Sequence, residues 1–227
     1  MGNGRYDLWK EQNISPRRMV FMKDNKVWGA SPAIKTVESL KSQEKEDEKN
    51  AHKNQPTSVN WDYVKSQEYR DKFRSITDND KANETLHDKA IHILEHRQNT
   101  ELEDMYLIDS ETGKVVATQV NSQTPHLVDY NDGMLQAIKK YPGRLISIHN
   151  HPNSMPPSGS DFVSNYGRDY KLGVVVAHNG DIYVYNNRSG ELTTRHIDRV
   201  LDNYQSPEWP KLFEELGRKH KITWEKL

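Results

Sequence analysis

Two histidines, His149 and His151, stand two residues apart at the end of the apolar run Leu-Ile-Ser-Ile. Side chains alternate along an extended chain, so both imidazoles are expected to project from the same face of a strand. Pro152 cannot continue a central strand, and the loop that follows leads to Asp161 near an expected helix start. Two nitrogen ligands and one carboxylate oxygen leave a coordination position for water. This donor set is typical of a catalytic zinc site.

Each of these features also has an ordinary structural explanation. Histidines at a strand end are polar residues where the chain reaches solvent. Ser158, followed three residues later by Asp161, fits a helix capping box in which Asp replaces the usual Glu. Their combination behind an apolar strand favours the metal interpretation. We therefore expect one Zn²⁺ ion per chain, held by His149, His151 and Asp161, which lowers the pKa of its bound water to about 7.

Residues 149–152, His-Asn-His-Pro, followed by residues 158–161, Ser-Gly-Ser-Asp, resemble the JAMM (MPN+) signature of zinc-dependent deubiquitinating enzymes and their prokaryotic relatives. The resemblance implies a curved mixed sheet flanked by helices, the JAB/MPN three-layer arrangement similar to that of cytidine deaminases. It implies His149, His151 and Asp161 as zinc ligands. It also implies that Ser158 helps to hold the tetrahedral intermediate, and that a glutamate from an earlier strand acts as general base and acid.

The resemblance covers residues 84–190, and the first 56 residues lie outside it. The loop between the second histidine and the serine is one residue shorter than in the common eukaryotic pattern. In this respect the chain resembles some bacterial and phage-associated members and the DNA-repair-associated RadC-like branch. The shorter loop bears on the eukaryotic substrate assignment more than on the metal.

A carboxylate that moves a proton between water and a leaving amine is expected before the strand that pairs near the zinc site. The segment Asn-Thr-Glu-Leu-Glu-Asp-Met-Tyr-Leu-Ile-Asp offers Glu101 and Glu103. Glu103 shares a strand face with Met105 and Leu107, whereas Glu101 lies further out, in the preceding turn. We favour Glu103 as the general base and keep Glu101 as the alternative. Both also fit solvated carboxylates at a helix–strand junction.

Three other histidines have weaker patterns. His92 and His96 are four residues apart on an expected helix, but they lack the Glu and the later ligand of an HExxH enzyme. His178 precedes the dipeptide Asn-Gly, so the end of a hairpin explains it. We interpret all three as structural.

The composition limits the class of protein. Of 227 residues, 33% are hydrophobic and 29% are charged, and the mean hydropathy of −0.98 predicts a part that contributes little to a core. Lys and Arg number 32 against 33 Asp and Glu, which gives no basic field for nucleic acid or an anionic membrane. Cysteine is absent, so disulfides and thiolate nucleophiles are excluded. Without a visible signal or membrane span, a cytoplasmic location is expected.

The charged stretch 41–56 predicts a linker or a solvated helix, with a boundary near Pro56. Residues 1–56 then form an N-terminal appendage, which docks on the main domain or serves as an attachment segment. A weak hairpin signal surrounds Asp24 and Asn25. Residues 57–227 form the domain that carries the motif.

The order of predicted elements in that domain indicates an α+β fold with a mixed sheet. One or two short helices lie between residues 59 and 76, and a helix capped by Asn83 follows, with Leu86, Ala90, Ile93 and Leu94 buried. Two strands flank a turn at residues 110–113. A helix after residues 131–133 ends at Pro142, with its inward positions at Leu135, Ile138 and Met134.

Further along, residues 144–149 predict a strand and residues 160–167 a short helix. Two strands joined by Asn179 and Gly180 predict a hairpin with a type I′ turn, in which Tyr183 and Tyr185 make cross-strand contacts. The tail 206–227 predicts a helical region with Trp209, Leu212, Phe213 and Leu216 at helical spacing.

Taken together, these features favour a zinc metallopeptidase or isopeptidase that hydrolyses an amide bond in a polypeptide or a ubiquitin-like conjugate. One alternative is a binding or scaffold module that keeps the fold without chemistry. Another is a nucleic-acid-processing factor like the RadC-like branch, which the balanced charge disfavours. No membrane partner is expected, and the sequence does not give the oligomeric state.

Overall fold

The computed structural model describes residues 22–23, 26–27, 58–190, 193–201 and 209–227. The chain divides into two compact units, Met1–His52 and Lys53–Leu227. In the first unit, strand β1 (Met22–Lys23) pairs antiparallel with β2 (Lys26–Val27), and Lys23 lies opposite Lys26. This pairing confirms the predicted hairpin. The linker predicted at 41–56 and the boundary near Pro56 lie outside the described residues.

The described part of the second unit contains a six-stranded mixed sheet in the order β4-β3-β5-β6-β7-β8. Its strands are β3 (Met105–Asp109), β4 (Val115–Gln119), β5 (Leu145–His151), β6 (Leu172–Ala177), β7 (Ile182–Asn187) and β8 (Ile222–Lys226). Strands β5 and β6 run parallel, and every other neighbouring pair is antiparallel. The predicted α+β class with a mixed sheet is confirmed.

Helices pack on both faces of this sheet. Those of the described ranges are α1 (Trp61–Val64), α2 (Gln67–Phe73), α3 (Asp80–Arg97), α4 (Asp132–Lys140), α5 (Gly159–Gly167), α6 (Thr194–Leu201) and α7 (Trp209–His220). The first three cover one face, and the core residues of α4 to α7 lie against the other. None of the described helices has both the length and the apolar character that a membrane crossing requires.

Strand β5 lies inside the sheet, and all seven of its residues are buried. Ile146 and Ile148 belong to the core shared with α1 to α3, whereas Leu145 belongs to a core on the opposite face. A strand whose two faces are both covered by helices is typically a nearly continuous run of apolar residues. The histidines that end this run are therefore the exception in its pattern.

Helix α3 carries the predicted buried stripe, because Leu86, Ala90, Ile93 and Leu94 are all fully buried. The predicted cap at Asn83 is wrong. The helix starts one turn earlier, and the Asn79 side chain accepts the backbone N–H groups of Lys81 and Ala82. Asn83 lies inside the helix, where its amide bonds the loop before it.

The helix predicted after residues 131–133 is present as α4, but it begins two residues earlier, at Asp132, with Asn131 as its cap. Met134 and Ala137 are buried, and Ile138 packs beside them. Leu135 is 44% exposed, so its predicted inward position is wrong. The inward stripe follows the i, i+3, i+4 spacing from Met134, and Leu135 falls beside that stripe.

Strands β6 and β7 form the predicted hairpin, but the predicted type I′ turn is wrong. That turn requires positive φ at both central residues, and Gly180, at +95°, is the residue of this loop with positive φ. The Gly180 N–H bonds the carbonyl of Ala177, and the Ala177 N–H bonds the carbonyl of Asp181. A three-residue loop ending in a left-handed glycine follows from these bonds. A Cβ on Gly180 would lie 2.6 Å from a ring carbon of Tyr63.

The C-terminal region differs from its predicted helix. Helix α7 is present with Phe213 buried, although the side chain of Trp209 lies outside the described residues. The chain then turns at Lys221, whose φ is +53°, and continues as β8 beside β7. Residues 222–226 form a short strand whose Ile222 and Trp224 pack on the same core as Phe213. A short strand directly after a helix is masked by the helical pattern before it. Helix α6 was also not predicted.

Candidate metal centre

His149 and His151 lie at the end of β5, and their rings lie on the same face of the sheet. The ring centroids are 5.0 Å apart, and the two Nε2 atoms are 3.2 Å apart. Both residues are buried, with 1% and 7% of their surface exposed. The expectation that alternation places the two imidazoles together is confirmed by these distances.

Asp161 approaches the two rings from the first turn of α5. One carboxylate oxygen, Oδ1, lies 3.2 Å from His149 Nε2, and the other, Oδ2, lies 3.3 Å from His151 Nε2. The three residues thus form a group that could hold a metal ion. Ligands at tetrahedral positions around zinc, about 2.0–2.1 Å from it, are separated by about 3.3 Å. The separation of the two Nε2 atoms, 3.2 Å, matches this value, and each carboxylate oxygen lies at a similar distance from one of the two rings.

Ser158 fixes the start of α5 and with it the carboxylate of Asp161. The Ser158 N–H and hydroxyl both donate to Asp161 Oδ2, at 2.7 and 2.8 Å. In return, the Asp161 N–H donates to Ser158 Oγ at 3.3 Å. This is the predicted capping box. Because Oδ2 already accepts two bonds, Oδ1 is the oxygen with more lone-pair capacity for a cation.

The ring of His151 is oriented by a backbone group of the loop. Its Nδ1–H donates to the carbonyl of Met155 at 2.8 Å, so the neutral ring carries its lone pair on Nε2. Such a bond from the distal nitrogen is the usual way in which proteins fix a metal-ligating histidine. The Nδ1 atom of His149 is buried and has no hydrogen-bond partner.

The carboxylate and the two imidazoles at the site change one another's pKa values. Burial alone would raise the pKa of Asp161, but the charges and hydrogen bonds of His149 and His151 hold it well below its usual value. Burial alone would lower the pKa of His151, but Asp161 and then Glu103 raise it to about 9. Two imidazoles that face a buried carboxylate are stable together when a proton or a metal ion lies between them.

Glu103 lies just before β3, whose first residue, Met105, pairs with His149. It is 7% exposed, and burial raises the pKa of its carboxyl, while the charges of His151 and His149 lower it. Glu103 therefore lies close enough to the two histidines for their charges to act on its pKa. Glu101 is exposed, and its carbonyl accepts the N–H of His126. The structure therefore brings Glu103, and not Glu101, into the buried site.

Sequence reasoning missed two neighbours of this group. Asn150, between the two histidines, is fully buried, and its side chain bonds the segment around Glu103. An amide between the two candidate ligands, on a strand with apolar residues before it, was the available signal. His126 has a left-handed backbone with φ of +55°, and the charge of His151 acts on its pKa, which burial lowers. The loop around His126 has no pattern that would have indicated this.

The three histidines interpreted as structural supply no ligand atom to the group, although the backbone N–H of His178 donates to the carbonyl of His151 at 3.4 Å. His92 accepts or donates a hydrogen bond with the Tyr106 hydroxyl at 3.0 Å, and His96 contacts Asp104 at 2.6 Å. His178 is buried at the hairpin end, where its carbonyl accepts the N–H of Asn60. None of the three belongs to the His149, His151 and Asp161 group found among the described residues.

Comparisons of the chain with protein-family models, with curated proteins and with solved structures found no match. The function proposed for the chain therefore rests on its own residues and their geometry.

Proposed function

We propose that the chain is a zinc-dependent metallopeptidase or isopeptidase of the JAMM type, which hydrolyses an amide bond in a polypeptide or a ubiquitin-like conjugate. The observation that carries this proposal is the group of two buried histidines, His149 and His151, with the partly buried Asp161 and with a second, buried carboxylate, Glu103, on whose pKa their charges act. The six-stranded mixed sheet with helices on both faces is compatible with the JAB/MPN arrangement that the motif resembles.

The donor set supports zinc over harder cations. Two imidazole nitrogens and one carboxylate suit Zn²⁺, whereas Mg²⁺ and Ca²⁺ take oxygen ligands. A zinc ion held by these three residues would acidify a coordinated water to a pKa of about 7 and polarise a substrate carbonyl. Three protein ligands leave the open position that such chemistry requires.

Glu103 supplies the proton transfer in this proposal. Its carboxylate accepts a proton from the attacking water and returns it to the amine that leaves. Burial raises the pKa of Glu103, which brings a carboxyl closer to the range in which it both accepts and donates protons near neutral pH. Glu101 is exposed and lacks this setting.

Ser158 supplies a hydroxyl beside the ligand Asp161. It donates to Asp161 Oδ2 at 2.8 Å, and its side chain is partly exposed at the start of α5. The family resemblance implies that this hydroxyl stabilises the oxyanion of the tetrahedral intermediate. A donor aimed at a developing oxyanion contributes about 2.7–4 kcal/mol in related acyl-transfer sites.

Metal content tests the proposal. We expect about one zinc per chain in the purified wild type. The variants His151→Ala and Asp161→Ala should remain folded and lose that zinc. The matched control is His92→Ala, which removes a histidine outside the group and should keep the metal. A folded wild type that takes up no added zinc would overturn the proposal.

Hydrolysis separates the enzyme from an inert module with the same fold. Zinc-loaded wild type should cleave members of a panel of unfolded polypeptides and isopeptide-linked ubiquitin-like conjugates. Glu103→Gln should keep the zinc and lose the cleavage. Zinc binding without cleavage of any panel member would favour a binding module instead.

A further inference from the structure

The pairing between β3 and β5 begins at Met105 and His149, and Met105 lies two residues after Glu103 along the chain. Beyond that point, β5 continues through Asn150 and His151, which pair with β6 on the other side. Backbone hydrogen bonds of the β3–β5 ladder therefore do not hold Glu103. Another contact must fix the segment that carries it.

The side chain of Asn150 makes that contact. Its Oδ1 accepts the N–H of Asp104 at 2.9 Å, and its Nδ2 donates to the carbonyl of Leu102 at 3.1 Å. These are the backbone groups on either side of Glu103. One partner is a donor and the other an acceptor, so the pair also fixes the orientation of the amide.

Burial makes these two bonds strong and specific. Asn150 is fully buried, and so is Asp104. A buried amide that lost either partner would leave an unsatisfied polar group, which costs about 1–3 kcal/mol. The two bonds therefore favour one position of the segment 102–104 over displaced alternatives.

The side chain of Asp104 holds the same segment from the opposite direction. Its carboxylate forms a buried ion pair with Arg97, at the end of α3, and contacts His96 at 2.6 Å. Arg97 in turn donates to the carbonyl of Val120 at 2.7 Å. The residue after Glu103 is thus tied to a helix, while its peptide N–H is tied to β5.

We propose that Asn150 is a positioning residue, which holds the Glu103 carboxylate against the metal group through the peptide groups on both sides of it. The proposal rests on the proposed function and names a further residue for it. The residue that separates the two histidine ligands in sequence thereby also sets the place of the proton-transferring carboxylate. Outer groups of this kind commonly change affinity or activity by about 10–100-fold when they are removed.

Cobalt(II) tests this role without a substrate. The full-length chain is stripped of metal, loaded with cobalt chloride, and its visible absorption spectrum is recorded. Glu103→Gln should change the position or intensity of the cobalt bands. Asn150→Ala should produce a change of the same direction. The double variant Asn150→Ala with Glu103→Gln should give the spectrum of Glu103→Gln alone, because the effects are not additive when one residue acts through the other.

The matched control is Asn83→Ala. Asn83 is also a buried asparagine whose amide accepts a backbone N–H, from Thr77 at 3.0 Å, and donates to a backbone carbonyl. It lies in the first turn of α3, and removing it should lower the melting temperature while leaving the cobalt spectrum of the wild type. A spectral change in Asn83→Ala equal to that in Asn150→Ala would overturn the positioning role.

The double variant also distinguishes an effect of Asn150 that acts through Glu103 from an effect that acts through the neighbouring histidine ligands. If Asn150→Ala changes the spectrum equally with and without Glu103, then Asn150 acts through His149 and His151, and the proposal is wrong. A wild type that binds no cobalt overturns the metal site itself, together with the positioning role. If the wild type binds cobalt and Asn150→Ala gives the same cobalt spectrum as the wild type, only the positioning role is overturned.

Amide hydrogen exchange in the wild type supplies a measurement that does not depend on a folded Asn150 variant. The Asp104 N–H lies outside the strand ladder, yet its bond to Asn150 should protect it as strongly as the ladder amides of β3. In Asn150→Ala, where it folds, this protection should fall by at least about tenfold. A freely exchanging Asp104 amide in the wild type would overturn the contact on which the proposal depends.

Discussion

The N–H of Ser158 lies 2.7 Å from Asp161 Oδ2, and the hydroxyl of the same serine lies 2.8 Å from that oxygen. One residue therefore caps helix α5 and orients the carboxylate that faces His149 and His151. The helix start and the candidate ligand cannot be moved independently.

This coupling predicts that Ser158→Ala lowers zinc affinity by about 10–100-fold, since an outer group that orients a ligand is lost. The lost cap should also cost about 1 kcal/mol of unfolding free energy. Ser158→Thr, which keeps a hydroxyl, should restore most of both. Competition with a chelator measures the affinity, and thermal unfolding measures the stability.

Ser66→Ala is the control for this prediction. Ser66 caps α2, where its Oγ accepts the N–H of Tyr69 at 3.1 Å. Its loss should cost a similar unfolding free energy with zinc affinity unchanged. Equal losses of affinity in the two alanine variants would show that the effect of Ser158 is only a general loss of stability.

The raised pKa of His151 predicts a pH dependence. Burial lowers it, but Asp161 and Glu103 raise it to about 9, above its unfolded value of about 6.5. In metal-free protein, the protonated ring therefore contributes stability that is complete below pH 6.5, about the unfolded pKa, and is lost as the pH rises through about 9. Zinc competes with this proton, so the zinc-induced rise in melting temperature should grow over the same window.

Calorimetry gives a second measurement of that competition. Titrations with zinc near pH 7.5 in buffers of different ionisation enthalpy should show the release of about one proton per zinc, since a histidine ligand must be neutral. Zinc binding with no proton release, or a zinc-induced stabilisation that shrinks with pH, would contradict the assignment of His151 as a protonated ligand in the metal-free site.

The grouping of His149, His151 and Asp161 was accessible to sequence reasoning because it depends on local rules. Alternation along a strand places the two imidazoles together, and the capping pattern places the carboxylate in a first helical turn. The buried stripe of α3 follows from helical periodicity in the same way.

The features that were missed depend on tertiary contacts. Asn150 matters because the β3–β5 ladder begins only at Met105, two residues after Glu103, which no local pattern encodes. Strand β8 exists because β7 offers it an edge, and Leu135 is exposed because the inward stripe of α4 starts at Met134. For Asn150 and β8 the partner across the fold decided the outcome, whereas the error at Leu135 was a wrong choice of helix face.

The backbone at Gly173 lies so close to the ring of Tyr185 that a larger residue there would overlap with it. A Cβ there would lie 2.1 Å from Cζ of Tyr185, whose ring covers this glycine from the facing strand β7. Because the core around Tyr185 is buried, Gly173→Ala should destabilise the protein by about 1–3 kcal/mol, as overpacking does. Gly167→Ala, with nothing within 4 Å of its Cβ, should leave the unfolding midpoint nearly unchanged or raised. Denaturant unfolding of both variants measures this, and equal midpoints would contradict it.

Glu103→Gln should separate stability from chemistry. Burial raises the pKa of Glu103, an effect that Asp161 adds to and the two histidines oppose. Because the folded pKa lies above the unfolded value of 4.5, ionisation of Glu103 costs stability as the pH rises above that value. Metal-free Glu103→Gln should therefore melt at a higher temperature than the wild type at pH 7, with the difference shrinking at pH 5.

Glu103→Gln should retain zinc, because Glu103 is not one of the three ligands. Its rate of amide hydrolysis should fall by about 10²–10⁴-fold, which is the usual contribution of a general base. Glu101→Gln is the control: this residue is exposed, so its loss should change neither the melting temperature nor the rate. Hydrolysis that survives Glu103→Gln but fails in Glu101→Gln would exchange the roles of the two glutamates.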